Sequence, residues 1–154
     1  MTKANYRAVI YENIIWGMWS TLNKMRNSNC EFTRQSRKLD ADEYLTLVSQ
    51  RKGKSSIDSK LAEILTKLWE DVSLQHFVKK ETLYKDGDLY SNCVFRIDES
   101  LPYYLNNLNR IAGQDYIPST QDILMCRIQT TGIVDFDFVY NQTPFRIIDV
   151  GGQR

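Results

Sequence analysis

Residues 133–150 read IVDFDFVYNQTPFRIIDV, and this stretch decides the fold because the spacing of apolar residues changes there. From 133 to 138, Ile, Asp and Asp alternate with Val, Phe and Phe, a period of two that predicts a β-strand. After the connector NQTP, the run FRIIDV predicts a second strand, so the stretch reads as a β-hairpin. Because a two-stranded hairpin alone is marginally stable in water, we expect it to belong to a larger sheet whose other strands are absent from this sequence.

Upstream of the hairpin, apolar residues recur at helical spacing. The longest such segment, residues 6–25, places its apolar residues three or four positions apart, on one side of a helix. Further helical segments are predicted over 40–48, 61–69 and 101–112, with a brief turn or helix at 73–78. The predicted fold class is mainly α: a helical bundle around a long central helix, followed by the β-hairpin.

Three helix ends carry sequence signals. The stretch DADE (40–43) resembles a capping box, which would start its helix at Asp40. Ser119 and Asp122 have the same spacing and predict one last short helix. Gly113 follows a helical segment at the position favoured for a left-handed C-cap.

Composition favours a single domain in the cytosol, and the net charge predicts no particular polyanionic partner. A length of 154 residues suits one domain with a real core, and the formal net charge is +1. Cys30, Cys93 and Cys126 are odd in number and lack metal-ligand spacing, which favours a reducing compartment over a disulfide framework. The first residues mix charges into their apolar positions, so they predict neither a signal peptide nor a membrane span.

Four stretches resemble one family in the right order. QDILMCRIQTTGIVDFDF (121–138) is similar to the first switch segment of heterotrimeric G-protein α subunits, and DVGGQR (149–154) resembles the start of their second switch. YLNNLNRIAGQDYIPSTQDIL (104–124) resembles the end of that family's helical domain, and YRAVIYENI (6–14) resembles its long first helix. The resemblance covers nearly the whole chain.

The resemblance implies a site for a guanine nucleotide and Mg²⁺. Phosphoryl transfer needs a cation for the developing charge, a metal, and a group that orients the attacking water. In the family, the catalytic cation corresponds to Arg127 and the water-positioning group to Gln153. Mg²⁺ prefers oxygen ligands, and the implied ones are Thr130 and Asp149. The residues implied to bind GTP or GDP are Glu99, Ser100, Leu124, Met125, Arg127, Thr130 and Gly152.

The sequence departs from the family pattern at several positions. Met125 stands where many members carry an Arg beside the ribose, and Gln129 replaces a common Lys. Glu99 replaces the usual Asp. The irregular segment around the Asp86-Gly87 turn signal predicts a loop or small hairpin and resembles an insertion relative to the family.

Two motifs of a complete GTPase are missing from the 154 residues. A phosphate loop needs G-x-x-x-x-G-K-[ST], and GKS does occur at 53–55, but Val48 occupies the first Gly position and the preceding residues predict a helix. The guanine-reading N-K-x-D element has no match either. We therefore predict a helical domain at 1–126, followed at 127–154 by an incomplete GTPase domain with the first switch, two strands and the start of the second switch. The chain ends inside DVGGQR, which predicts a fragment or a truncated gene product.

The function implied by the resemblance is that of a G-protein α subunit, a GTPase in receptor-coupled signal transduction. Implied partners are the G-protein β and γ subunits, a G protein-coupled receptor, effectors and GTPase-activating regulators, at the inner face of the plasma membrane. The isolated chain is expected to be inactive, because nothing in it would hold the phosphates in place. The alternative is a stand-alone helical interaction or regulatory module without catalysis.

Overall fold

The structure is a computed structural model that describes residues 3–51, 55–83, 99–128 and 133–150. Its helices are α1 (Lys3–Asn27), α2 (Ser36–Ser49), α3 (Ser59–Trp69), α4 (Val72–Leu83), α5 (Ser100–Asn106), α6 (Leu108–Ile111) and α7 (Thr120–Leu124). Two strands follow, β1 (Ile133–Tyr140) and β2 (Thr143–Val150), paired antiparallel. The predicted fold class, mainly α with a terminal β-hairpin, is confirmed.

The core of the helical part, residues 3–51, 55–83 and 99–128, is built around α1. As the apolar period predicted, one side of α1 is buried along its length, with exposures of 0–3% at Ile10, Ile14, Met18, Leu22 and Met25. Helices α2, α4, α5 and α7 all pack against α1. A Cβ on Gly17 would lie 3.1 Å from a methyl group of Leu101, so the glycine lets α5 pack close to α1. We call this part of the chain the helical body.

The predicted start of α2 at Asp40 is wrong, because the helix begins one turn earlier, at Ser36. The carboxylate of Asp40 does not cap the helix; it accepts a hydrogen bond at 2.8 Å from Arg37, which lies one turn before it. The first turn contains exposed residues such as Leu39, which is 73% exposed, so it adds nothing to the apolar period. The Asp40 side chain thus forms an ion pair with Arg37 in place of the predicted helix cap.

Two further predictions differ at the end of the helical body. The segment 101–112 is not one helix but breaks at Asn107, whose side-chain amide donates to the carbonyl of Tyr103 at 2.8 Å. The backbone of Asn107 has φ −107° and ψ 14°, outside the helical region, and Asn forms helices less readily than Ala or Leu. Gly113 lies outside the left-handed region, so the predicted left-handed cap is wrong. A Cβ there would come 3.2 Å from the carbonyl of Arg110, a close approach that itself favours glycine.

Helix α4 is longer than the brief turn that the sequence predicted. It spans Val72–Leu83, so the first residues of the segment expected to be irregular are helical. The remainder of that segment, with the insertion near Gly87, lies outside the described residues.

The hairpin is confirmed, with a tighter turn than NQTP suggested. Thr143 and Pro144 belong to β2, and the two-residue turn consists of Asn141 and Gln142, whose φ angles are 48° and 62°. Both values lie in the left-handed region that a type I′ turn requires. Phe138 lies opposite Phe145 with stacked rings, yet every residue from 135 to 149 is exposed. The hairpin therefore contributes little to the core of the helical body.

Asp71 joins the start of α4 to the loop before α2. Its carboxylate, 4% exposed, accepts hydrogen bonds from the backbone N–H groups of Ser73 and Leu74, which caps α4. The same carboxylate accepts from the backbone N–H groups of Thr33 and Arg34. Two segments far apart in sequence thus depend on one side chain.

Replacing Asp71 by Ala should lower the free energy of unfolding by about 2–3 kcal/mol, because the cap of α4 and the part-buried backbone N–H groups of Thr33 and Arg34 lose their acceptor. The control is Asp58→Ala, which removes a cap formed by a single hydrogen bond, from the N–H of Leu61 at 2.9 Å, and should cost about 1 kcal/mol. Urea denaturation measures both. Equal losses in the two variants would show that Asp71 only caps its helix.

Candidate functional site

The segment that leads to Arg127 starts from a buried carboxylate, that of Asp122 in α7. Asp122 is completely buried and accepts two hydrogen bonds from the guanidinium of Arg110, at 2.7 and 2.8 Å. Tyr103 donates its hydroxyl to the same carboxylate at 2.8 Å, and the backbone N–H of Ser119 donates at 2.8 Å. The Ser119 hydroxyl accepts from the N–H of Asp122, so the predicted capping box is confirmed.

These donors keep Asp122 ionised. Burial alone would raise the pKa of its carboxyl, but the hydrogen bonds from Arg110, from Ser119 and from Tyr103 outweigh burial and hold the pKa well below its usual range. A buried charge is tolerated only when it is paired and hydrogen-bonded, and this one satisfies both conditions. Helix α7 is thereby anchored on α5 and α6.

Beyond α7, the chain continues along the surface of the helical body. The backbone N–H of Met125 donates to the carbonyl of Gln121 at 3.0 Å, and that of Cys126 donates to Ile123 at 3.0 Å, so the helical path extends past Leu124. Met125 and Cys126 pack partly buried against the core, whereas Leu124 is 74% exposed. The last residues before 129 therefore follow a path set by the helical body.

Arg127 lies at the end of this path and is exposed. Its backbone carbonyl accepts a hydrogen bond at 3.4 Å from the side-chain amide of Asn13 in α1. The same amide lies 3.6 Å from the sulfur of Cys126. An arginine on an anchored backbone is suited to contact the oxygens of a phosphate, since its planar guanidinium can donate to two of them.

Glu99 and Ser100, the other predicted nucleotide contacts within the helical body, lie at the start of α5. Glu99 is exposed, whereas Ser100 is 3% exposed. Helix α5 and helix α7, which precedes Arg127, both pack against α1. The long first helix therefore supports both segments to which the nucleotide contacts were assigned.

The predicted metal and water-positioning residues are only partly described. Asp149 lies on β2 opposite Val134 and is exposed. Thr130, Gly152 and Gln153 lie outside the described residues. Within the described ranges, no three His, Cys, Asp or Glu side chains come together as a metal site. Mg²⁺ in nucleotide sites commonly shares its oxygen ligands with substrate phosphates.

Two contributors to this arrangement carried no sequence signal. Arg110 and Asn13 lie 12 and 114 residues from the groups that they contact. The capping-box spacing pointed to Asp122, but no local pattern indicated its guanidinium partner.

Among the helices in the described part of the chain, none combines the length and the apolar composition needed to cross a membrane.

Comparison with known proteins places the whole chain in one family. The family profile described as G-protein alpha subunit matches residues 1–154. The chain is 32% identical to the guanine nucleotide-binding protein alpha-4 subunit of Caenorhabditis briggsae, over 99% of this chain and 40% of that protein. It thus spans less than half the length of this curated relative. The chain belongs to the family of G-protein alpha subunits.

Proposed function

We propose that these residues are part of a G-protein α subunit that binds GTP and GDP and hydrolyses GTP in receptor-coupled signal transduction. The observation that carries the proposal is the exposed Arg127, anchored through its backbone to the helical body, within a chain of this family. Hydrolysis of GTP needs a cation beside the negative charge that develops on the phosphate, and the guanidinium of Arg127 can supply it.

The other roles follow the family pattern. Arg127 stabilises the transferred phosphoryl group, and Gln153 orients the attacking water. Both act as catalytic residues by positioning and charge, because phosphoryl transfer leaves the protein little covalent chemistry. Gly152 brings its backbone N–H close to the terminal phosphate, which a residue without a side chain permits.

The proposed ligands of Mg²⁺ are Thr130 and Asp149, which both offer the hard oxygen atoms that this ion prefers. When bound, the ion would neutralise charge on the phosphates. The exposed carboxylate of Asp149 fits this assignment. The proposed walls of the nucleotide site are Glu99 and Ser100 at the start of α5, and Leu124 and Met125 after α7.

The proposed domain division puts the α-helical domain at 1–126 and an incomplete GTPase domain at 127–154. It is supported by the shared core of the helices and by the exposure of every residue from 135 to 149. As an α subunit, the protein would act with β and γ subunits, a G protein-coupled receptor, effectors and GTPase-activating regulators. Its place would be the cytoplasmic face of the plasma membrane.

One observation favours a second candidate, a stand-alone helical interaction module without catalysis. The described helices bury a continuous core around α1 to which the hairpin contributes no buried residue within 135–149. Sequencing the native transcript separates the two functions. A G-x-x-x-x-G-K-[ST] motif upstream and an N-K-x-D motif downstream would support the GTPase, and stop codons at both ends would support the module.

For the isolated 154-residue chain, we expect no binding of a fluorescent GTP analogue tighter than about 10 μM in the presence of Mg²⁺, or roughly −7 kcal/mol. The reason is that the chain lacks a phosphate-loop motif to hold the phosphates. Fluorescence titration of a sample shown to be helical by circular dichroism is the measurement. Tighter binding would mean that the chain contains a complete nucleotide site.

A further inference from the structure

We propose that Asn13 is a positioning residue for Arg127, an inference that rests on the catalytic role of Arg127 proposed above. Asn13 lies in the first half of α1, more than a hundred residues before Arg127 in the chain. Its amide donates to the carbonyl of the residue whose guanidinium is proposed to meet the phosphate. It would act on the backbone of Arg127 and would not touch the nucleotide.

The Asn13 side chain bonds to another segment of the chain, unlike two other polar side chains of α1, those of Thr21 and Asn23. Thr21 donates to the carbonyl of Gly17 at 2.8 Å, and Asn23 donates to the carbonyl of Trp19 at 2.8 Å. Both bond back to their own helix, the usual behaviour of such residues within a helix. Asn13 instead reaches across to the segment that carries Arg127, with contacts to Cys126 and Arg127.

Two anchors therefore hold the backbone around Arg127. On the upstream side, Asp122 anchors α7, and Tyr104 donates its hydroxyl to the carbonyl of Asp122 at 3.0 Å. From the side, Asn13 holds the last residues before the hairpin segment. Together they make the location of Arg127 depend on α1.

A misplacement of a catalytic group by about 1 Å can reduce a rate 100-fold, so loss of the lateral anchor should lower turnover. Nucleotide affinity should change little, because the proposed role of Asn13 acts through the backbone of Arg127. If Asn13 merely stabilised the fold, its replacement should not lower the turnover rate while leaving the nucleotide affinity unchanged.

The anchor can first be tested in the 154-residue chain by amide hydrogen exchange and ¹⁵N relaxation. In Asn13→Ala, the backbone around 126–128 should become more mobile, and Asn13→Asp should have the same effect because it keeps the size but removes the donor. The matched control is Asn23→Ala, on the same helix, which should leave 126–128 unchanged. Unchanged order in both Asn13 variants would overturn the proposal.

The functional test measures single-turnover GTP hydrolysis by the α subunit proposed to contain this chain. Asn13→Ala should lower the rate by about 10- to 100-fold with nucleotide affinity retained, and Asn23→Ala should leave the rate unchanged. Asn13→Gln, which retains an amide donor, should recover part of the loss. In an Arg127→Ala background, Asn13→Ala should have no further effect, because the group that it positions is gone.

The outcomes separate this proposal from the proposed function. If Arg127→Ala lowers the rate and Asn13→Ala does not, Asn13 has no positioning role. If the two losses multiply in the double variant, Asn13 acts independently of Arg127, which also overturns the proposal. If Arg127→Ala leaves hydrolysis unchanged, the proposed function of Arg127 fails, and the positioning role fails with it.

Discussion

Replacing Asp122 by Ala should lower the free energy of unfolding of this chain by about 2–4 kcal/mol, somewhat less than the 3–5 kcal/mol lost when one member of a fully buried ion pair is removed. The carboxylate is completely buried and accepts hydrogen bonds from Arg110, Tyr103 and Ser119. Its loss removes one of the two hydrogen bonds of the capping box of α7 and leaves these donors without their acceptor. The effect is reduced because the Arg110 side chain is 45% exposed and can turn to water.

The control for Asp122 is an aspartate–arginine pair at the surface of the hairpin. Asp137 and Arg146 also form two hydrogen bonds, at 2.6 and 2.9 Å, but their side chains are 64% and 60% exposed. Asp137→Ala should therefore leave the unfolding of the helical body unchanged, since exposed ion pairs contribute little. Chemical denaturation followed by circular dichroism measures both variants. Equal stability of Asp122→Ala and Asp137→Ala would refute the structural importance of the buried pair.

The same carboxylate predicts a pH dependence of stability. Because folding lowers the pKa of Asp122 below its ordinary value of 3.8, the unfolded state binds the proton more readily than the folded state. Its stabilising contribution is therefore complete well above pH 3.8 and declines as the pH falls below that value. In Asp122→Ala this part of the acid dependence should disappear, so the stabilities of the two proteins should converge in acid. Parallel curves below pH 3.8 would contradict the assignment.

The second large effect is expected on GTP hydrolysis by the α subunit proposed to contain this chain. Arg127→Ala should lower the single-turnover rate by about 10³- to 10⁵-fold, a range known for arginine fingers, G-protein α subunits among them, and not calculated from the present geometry. The physical reason is the loss of a cation from the charge that develops on the phosphate oxygens. Nucleotide affinity should fall far less than the rate.

Two further variants give the Arg127 experiment its controls. Arg127→Lys keeps the charge but loses the planar fork, so it should recover only part of the rate. Arg146→Ala removes another exposed arginine, one that pairs with Asp137 on the hairpin, and should leave hydrolysis unchanged. A rate in Arg127→Ala within a few-fold of the unsubstituted protein would exclude Arg127 as the catalytic cation.

The elements that the sequence predicted well depend on neighbours in the chain. The apolar residues of α1 recur every three or four positions, and the capping box of Ser119 and Asp122 spans one helical turn. In the first strand of the hairpin, residue types alternate with a period of two. Each of these patterns indicates either which face of an element is apolar or which end of a helix is capped. These local properties do not depend on where the rest of the chain lies. The resemblance to G-protein α subunits rested on such short stretches too, and the family was correct.

The sequence by itself therefore determined the fold class, the family and the identity of the candidate residues. Only the tertiary structure decided that α2 starts at Ser36, that Asp71 joins two segments, and that Asn13 holds the backbone of Arg127. The physical reason is that a polar side chain such as Asp40 or Asn13 has several possible partners of similar energy. The packing of α1 against the other helices selects among them by bringing residues a hundred positions apart within hydrogen-bonding distance.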